Sequence, residues 1–292
     1  MAVVAHRKKS LAGGLGELRE RLAAEGVRDP LWFEVNKSRK AVKKARRAVK
    51  EGAELIVVWG GDGMVQRCVD AVAGSAATIA IMPAGTANAL AGNLGIPRDL
   101  AAAVQIAVHG RTRRLDLGKL NGEHFAVMAG AGFDGALIGD AGRKLKGRIG
   151  RLAYVLSAVR HVRDDPTPVT IRVDGTTWFT GDATCVLLGN FGTMTGDIDA
   201  FDGAQPDDGC LEVGVSTARG AFQWARTLGR MAAGRSEKSP FVRTARGRKI
   251  EARFDEPILY ELDGGARGTT ARLKARVVPG GLSVRVPAAD SA

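Results

Sequence analysis

The chain has 292 residues, 45% hydrophobic and 25% charged, a balance that excludes a disordered protein and a length that allows two domains. Its 43 Lys and Arg against 31 Asp and Glu leave a net charge of +12, which favours nucleic acid, phosphorylated ligands or acidic lipid as partners without choosing among them. No stretch approaches the ~18 apolar residues of a membrane span, and Cys68, Cys185 and Cys210 have neither metal nor disulfide spacing.

The first elements alternate. Val3-Val4-Ala5 is a short apolar strand, and Arg7, Lys8 and Lys9 come after it. That is the reverse of a secretory leader, so a cytoplasmic protein is expected. Leu11, Leu15, Leu18 and Leu22 recur at helical spacing, and 32–35 reads as a strand. Residues 37–50 read as a helix whose apolar stripe (Ala41, Val42, Ala45, Ala48, Val49) is flanked almost entirely by basic residues. The continuous apolar runs 55–59 and 78–82 are strands covered on both faces, with Val65, Val69 and Val72 at helical spacing between them. This alternation predicts an α/β, doubly wound parallel-sheet nucleotide domain over residues 1–113.

Beyond 113 the pattern changes. Asn121-Gly122 and Asp174-Gly175 are two-residue hairpin signals, the first between 114–120 and 124–128, the second between 170–173 and 176–179. Further strands are expected at 184–188, 211–215, 258–262, 273–278 and 282–286, with helices around 145–162 and 221–233. Residues 114–287 therefore read as a second, mostly antiparallel β domain, and 288–292 as a tail. In the late helix Phe222 and Trp224 are read as core in preference to lipid-facing.

Two loops carry chemistry. Gly60-Gly61-Asp62-Gly63-Met64 follows a buried strand and precedes a helix. Its glycines allow phosphate oxygens to approach the main chain, and its N–H groups with the helix N-terminus form an anion cradle. Asp62 fits beside phosphate if Mg²⁺ lies between them, or if it takes the proton of an attacking hydroxyl. A plain turn with Asp62 as helix cap is the alternative. Gly85-Thr86-Ala87-Asn88 follows the next strand, and parallel strands deliver such loops to one sheet edge. Thr86 can bond a phosphate; Asn88 can bond a phosphate or a base, or cap a helix.

Gly60-Gly61-Asp62-Gly63, Pro83-x-Gly85-Thr86-x-Asn88 and Leu94-Gly95-Ile96-Pro97 together resemble the diacylglycerol kinase catalytic-domain family, bacterial lipid kinases included. Gly130-Ala131-Gly132-Phe133-Asp134, Asp208-Gly209-Cys210-Leu211 and Leu262-Asp263-Gly264 match later family motifs in order, so the resemblance covers nearly the whole chain. It implies an enzyme that binds ATP with Mg²⁺ in a cleft between two domains and transfers the γ-phosphoryl group to a lipid hydroxyl such as that of diacylglycerol. It implies that Gly60, Gly61, Asp62, Gly63, Met64, Gly85, Thr86 and Asn88 line the nucleotide site. It also implies that Asp208, with backbone oxygens of Gln205 and Cys210, holds a second, structural Mg²⁺, although 206–209 is equally an ordinary turn. Two positions depart from the family. Met64 stands where the family usually has Thr, and Gly265 stands where it has the general-base Glu. Glu261 and Asp263, on one face of an expected strand, are the replacement candidates, with the wet face of an antiparallel strand as the competing reading.

The basic runs within 37–50, 143–151 and 243–249 suit an anionic membrane surface, at ~1 kcal/mol per cation, or are solvated faces. A lipid substrate reached by peripheral membrane association is expected. Nucleic acid is disfavoured, because the aromatic residues, 5% of the chain, do not interleave with the basic runs. Two other readings stand beside this one. An NAD kinase-like enzyme with a soluble substrate shares the GGDG loop but typically has Glu after the Asn, where this chain has Ala89. A nucleotide- or lipid-binding regulator with little catalysis is favoured by Met64 and Gly265. The sequence leaves the lipid unspecified, and monomer and homodimer both open.

Overall fold

The computed structural model describes residues 1–132, 166–194, 198–235 and 238–288. The chain forms two compact units: Met1–Leu115 with the residues from Gly280 onward, and Asp116–Pro279.

The first unit is built on β1 (Ala2–His6), β2 (Leu31–Val35), β3 (Leu55–Gly60) and β4 (Thr78–Pro83), in the order β4-β3-β1-β2 and all parallel. Helices α1 (Gly14–Ala24), α2 (Ala41–Lys50), α3 (Asp62–Val72), α4 (Ala89–Asn93) and α5 (Leu100–His109) connect them, with one 3₁₀ turn at Ser38–Lys40. The apolar runs of β1, β3 and β4 are buried almost throughout, as strands sandwiched between helices require. In α2 only Ala41, Ala45 and Ala48 are buried. Its basic face is partly engaged within the fold, because Lys44 and Arg47 each lie 5.4 Å from the Phe33 ring. Asp99 caps α5 by accepting the Ala102 N–H at 2.8 Å.

The second unit is antiparallel. Its strands are the end of β5 (Arg111–Leu120), then β6 (Glu123–Phe125), β7 (Met128–Ala131), β8 (Thr167–Val173), β9 (Thr176–Ala183) and β10 (Cys185–Gly189). They continue with β11 (Thr193–Met194), β12 (Ile198–Asp199), β13 (Leu211–Ser216), β14 (Val242–Gly247), β15 (Lys249–Leu262) and most of β16 (Gly265–Val286), with α6 (Gly220–Ala232) after β13. Strands run in the order β14-β13-β10-β7-β15-β16, with β8 and β9 continuing from β15. Phe125, Ile171, Val186, Val213 and Leu273 lie in one core cluster. Both hairpin dipeptides form: Asn121 and Gly122 have φ of 47° and 100°, and Asp174 and Gly175 of 48° and 89°, the left-handed pair that a two-residue hairpin turn needs.

Four findings differ from the sequence reading. The runs 273–278 and 282–286 are one strand, β16, which crosses Pro279. Its last residues return to the first unit instead of ending the second, because Ser283 and Val284 pair in parallel with Thr78 and Ile79 of β4. β14 and the first half of β15 were not expected as strands; their every-other-residue charges mask the alternation of Ile250, Ala252 and Phe254. Trp224 is buried as expected, but Phe222 is 81% exposed, since two residues' separation on a helix turns it to the other side. The expected helix around 145–162, the motif residues Phe133 and Asp134 and the basic run 143–151 lie outside the described residues. Among the described residues no helix is long and apolar enough to cross a membrane.

Gly118 pairs across the sheet with Phe125, and a Cβ on Gly118 would lie 2.0 Å from that buried ring. Gly118→Ala is expected to cost about 1–3 kcal/mol of stability by overpacking. Urea unfolding checks this, and an unchanged midpoint would contradict it.

Candidate active site

The first cluster of candidates lies at the carboxyl edge of the parallel sheet. β3 and β4 end side by side with Gly60 paired to Pro83, so the β3–α3 and β4–α4 turns leave the sheet together. The two main chains then touch. A Cβ on Gly85 would fall 2.4 Å from the Gly61 Cα, and one on Gly61 would fall 2.9 Å from the Gly85 Cα. Neither position can carry a side chain unless the loops part.

Asp62 locks this contact. Its carboxylate accepts the Asn88 N–H at 2.9 Å and the Ala89 N–H at 2.6 Å. It therefore caps α4, in the neighbouring loop, and not its own helix, whose cap residue is Gly61. Asn88 closes its loop from inside. It is 6% exposed, sits at φ 55°, accepts the Gly85 N–H at 2.9 Å and donates to the Gly85 carbonyl at 3.0 Å. Its side chain is spent on the loop and is neither a helix cap nor a free phosphate or base contact.

What remains open for a ligand is mostly main chain. The N–H groups of Met64 and Val65 both donate to the Gly61 carbonyl, while those of Asp62 and Gly63 begin α3 and have no carbonyl within the helix to donate to. Gly63 and Thr86 are exposed, and the Thr86 hydroxyl makes no hydrogen bond with any described residue. Met64 points inward, 1% exposed, against the space where Gly60 would carry a Cβ. Its side chain fills core where a Thr hydroxyl would have been polar.

The later candidates belong to the second unit. Asp263 and Gly264, at φ 44° and 75°, are a third two-residue hairpin turn, joining Leu262 of β15 to Gly265 of β16. The Asp263 carboxylate accepts the N–H groups of Ala126, Val127 and Met128 at 2.8, 2.9 and 3.0 Å. The same segment is braced from the other side by Asn190, 2% exposed, whose Nδ2 donates to the Asp116 and Ala126 carbonyls at 2.8 and 2.9 Å. Nothing in the sequence marks Asn190; the Asp-Gly dipeptide at 263–264 is legible as a turn.

Glu261 is different. It is 7% exposed, so the wet-face reading is corrected for this residue, and its Oε2 has no hydrogen-bond partner. Burial first, and the nearby Asp263 charge second, push its carboxyl up to about 7, against the pull of Arg267. Arg267 also fills the space beside Gly265: its guanidinium would lie 2.7 Å from a Cβ there, donates to the Gly265 carbonyl at 2.8 Å and pairs with Glu123 at 3.0 Å.

The expected second-domain Mg²⁺ position does not fit a cation. One Asp208 oxygen accepts the Cys210 N–H at 3.0 Å, and the other meets the Arg246 guanidinium at 2.5 Å. Gln205 is exposed at the start of this loop, which is tied to Asp116 through the Gly209 N–H at 2.7 Å. The guanidinium supplies the positive charge that a metal would have brought.

Known proteins carry the same organisation. Residues 8–120 match the diacylglycerol kinase catalytic domain model, and residues 127–286 match that of the YegS C-terminal NAD kinase beta sandwich-like domain. A Bacillus subtilis protein named diacylglycerol kinase is 29% identical over 232 residues, 75% of each chain. A Pseudomonas aeruginosa protein named "Probable lipid kinase YegS-like" is 31% identical over 252 residues, 84% of this chain and 82% of its own. The crystal structure of a Bacillus anthracis diacylglycerol kinase superposes with a TM-score of 0.74 at 21% identity, over 98% of this chain and 96% of that one, which shows the fold. The chain belongs to the diacylglycerol kinase catalytic-domain family, a family of kinases, in the form that carries a YegS-type C-terminal domain.

Asp62→Ala strands the Asn88 and Ala89 N–H groups and is expected to cost about 1–3 kcal/mol, with faster amide exchange at both residues. Hydrogen-exchange mass spectrometry reads this directly; unchanged exchange across 85–90 would show that the loops hold together without the carboxylate.

Proposed function

We propose that this chain transfers the γ-phosphoryl group of MgATP to a lipid hydroxyl such as that of diacylglycerol. The observation that carries the reading is the Asp62-locked pair of glycine loops at the sheet edge, in a chain of a lipid-kinase family. Such loops approach phosphates closely with main-chain N–H groups, and phosphoryl transfer depends mainly on positioning and charge stabilisation.

On this reading the N–H groups of Asp62 and Gly63, with the Thr86 hydroxyl, hold the triphosphate, which Gly60 and Gly61 let come close to the main chain. Gly85 and Asn88 hold the second loop in place, and Met64 contributes packing. Asp62 positions both loops and would be the residue to hold the Mg²⁺ that arrives with ATP, an ion that would neutralise charge on the phosphates. The acceptor oxygen bonds to the γ-phosphorus as the bond from that phosphorus to the β,γ-bridging oxygen breaks, and ADP leaves. The hydroxyl proton goes to Glu261, whose buried carboxyl, held near pH 7, suits a base at neutral pH. Asp263 positions the main chain at 126–128 and raises the affinity of Glu261 for a proton. The protein works in the cytoplasm and meets its substrate peripherally, through basic residues such as those of α2.

The experiment is transfer from labelled ATP with Mg²⁺ to a panel of lipids in nonionic micelles and, separately, to NAD. Label in one lipid class supports the proposal. Label in NAD alone favours the soluble-substrate enzyme, and nucleotide binding without transfer favours a regulator in which Arg267 has replaced the base.

Glu261 gives a second, pH-resolved test. In the fold it keeps its proton from its ordinary 4.5 up to about 7, whereas the unfolded chain releases it near 4.5. The unfolded state therefore binds fewer protons across that window, and stability falls as pH rises through it. Glu261→Gln is expected to be more stable than the parent by roughly 3 kcal/mol at about pH 8, and equal to it below about pH 4. Parental transfer should rise with pH through about 7, and the variant should be slower by ~10²–10⁴-fold with that rise lost. Urea unfolding and initial rates at several pH values decide; a stability difference independent of pH would contradict the buried-acid account.

A further inference from the structure

The outward face of β15 and β16 carries more positive charge than its one carboxylate can pair. Ile250, Ala252 and Phe254 of β15 and Leu273, Ala275 and Val277 of β16 belong to the core. Strand alternation therefore sends the residues between them to the other side of the sheet. The register sets these directly opposite one another: Lys249 to Arg276, Glu251 to Lys274, and Arg253 to Arg272. Two of the three are like-charge pairs, an arrangement that destabilises an antiparallel sheet. The single acid, Glu251, is bonded to Arg272 at 2.8 Å. Among the described residues, Lys249, Lys274 and Arg276 have no ion pair. The Asp174 carboxylate is turned to the main chain and accepts the N–H groups of Arg248 and Lys249.

A cavity of about 400 Å³ opens on this face, where Lys119 joins Lys249, Lys274 and Arg276 around Asn121 and Glu251. Asn121 is committed to the sheet, donating to the Arg272 carbonyl at 3.0 Å and accepting the Lys274 N–H at 2.9 Å. Apart from the Glu251 carboxylate, which is bonded to Arg272, the charged groups of the cavity are thus cationic.

We propose that this face docks the second unit onto an anionic lipid surface by binding its phosphate groups. The charges extend from Lys249 to Arg253, ~13 Å along the strand, and across two strands ~5 Å apart. One phosphate among Lys119, Lys249, Lys274 and Arg276 would leave most of the cavity empty and Arg253 outside it, whereas a plane of phosphates meets the cavity and the strand beyond it. Anions placed between the like-charge pairs relieve their repulsion. The choice of a bilayer over another polyanion rests on the lipid-substrate reading above.

The test compares the parent with the double variant Lys249→Gln/Arg276→Gln in three measurements. These are sedimentation with phosphatidylcholine vesicles with or without phosphatidylglycerol, thermal unfolding, and phosphate transfer to lipid in nonionic micelles. The parent is expected to bind only the anionic vesicles, and the variant to bind them about 25-fold less tightly, some five-fold per cation removed. Its Tm should be equal or higher, since a like-charge pair is gone, and its transfer in neutral micelles unchanged. Equal vesicle binding by both proteins overturns the proposal, as does a fall in Tm that parallels the loss of binding. Preference for duplex DNA or soluble pyrophosphate at equal phosphate concentration overturns the choice of a membrane. If neither protein phosphorylates any lipid while vesicle binding behaves as expected, the lipid-kinase reading falls and the docking face stands.

Discussion

Everything at the proposed nucleotide edge depends on two main chains that touch. Gly61 and Gly85 approach so closely that neither tolerates a Cβ, and the contact persists because the Asp62 carboxylate takes two N–H groups from the facing loop. Charge-assisted hydrogen bonds of this kind are short and strong. They also satisfy the start of α4, whose own residue Asn88 has turned its side chain back into the loop. One carboxylate thus caps a helix, joins two turns and leaves the first amides of α3 facing outward. The arrangement is preorganised before any ligand arrives, which is where catalysis by positioning gains most.

The second unit repeats the device with Asp263, whose carboxylate gathers three consecutive N–H groups at 126–128. Two of the three carboxylates that chemistry seemed to require are therefore main-chain clasps. The third, Glu261, has no such bond on Oε2 and is almost wholly buried. Burial without a partner is costly for an ionised acid, and a fold that keeps one has put a proton-binding group at neutral pH beside a family motif. The family's usual base is absent at Gly265, and Arg267, paired with Glu123, fills the room it would have taken.

The parallel sheet was legible because its strands are continuous Val and Ile runs that admit only a doubly covered position. The hairpins at 121–122 and 174–175 were legible because only Asn, Asp and Gly adopt the left-handed turn easily. Asp263-Gly264 has the same chemistry, but its place in a suspected catalytic motif obscures its role as a turn. The use of Asp62 was hidden for another reason: its partners are backbone N–H groups 26 and 27 residues away, and a main-chain donor leaves no mark in the sequence. Asn190 was invisible on the same grounds. The Asp208 loop reads as a metal motif, yet Arg246 reaches it from 38 residues away, across a β13–β14 pairing that local patterns did not reveal.

The central claim is that both glycine loops form one phosphate cradle. Amide resonances of Gly61, Gly63, Gly85 and Thr86, followed by NMR as MgATP is added, test it most directly. The account predicts that all four shift together along a single binding curve. Shifts confined to one loop, or displaced to residues remote from both, would contradict it.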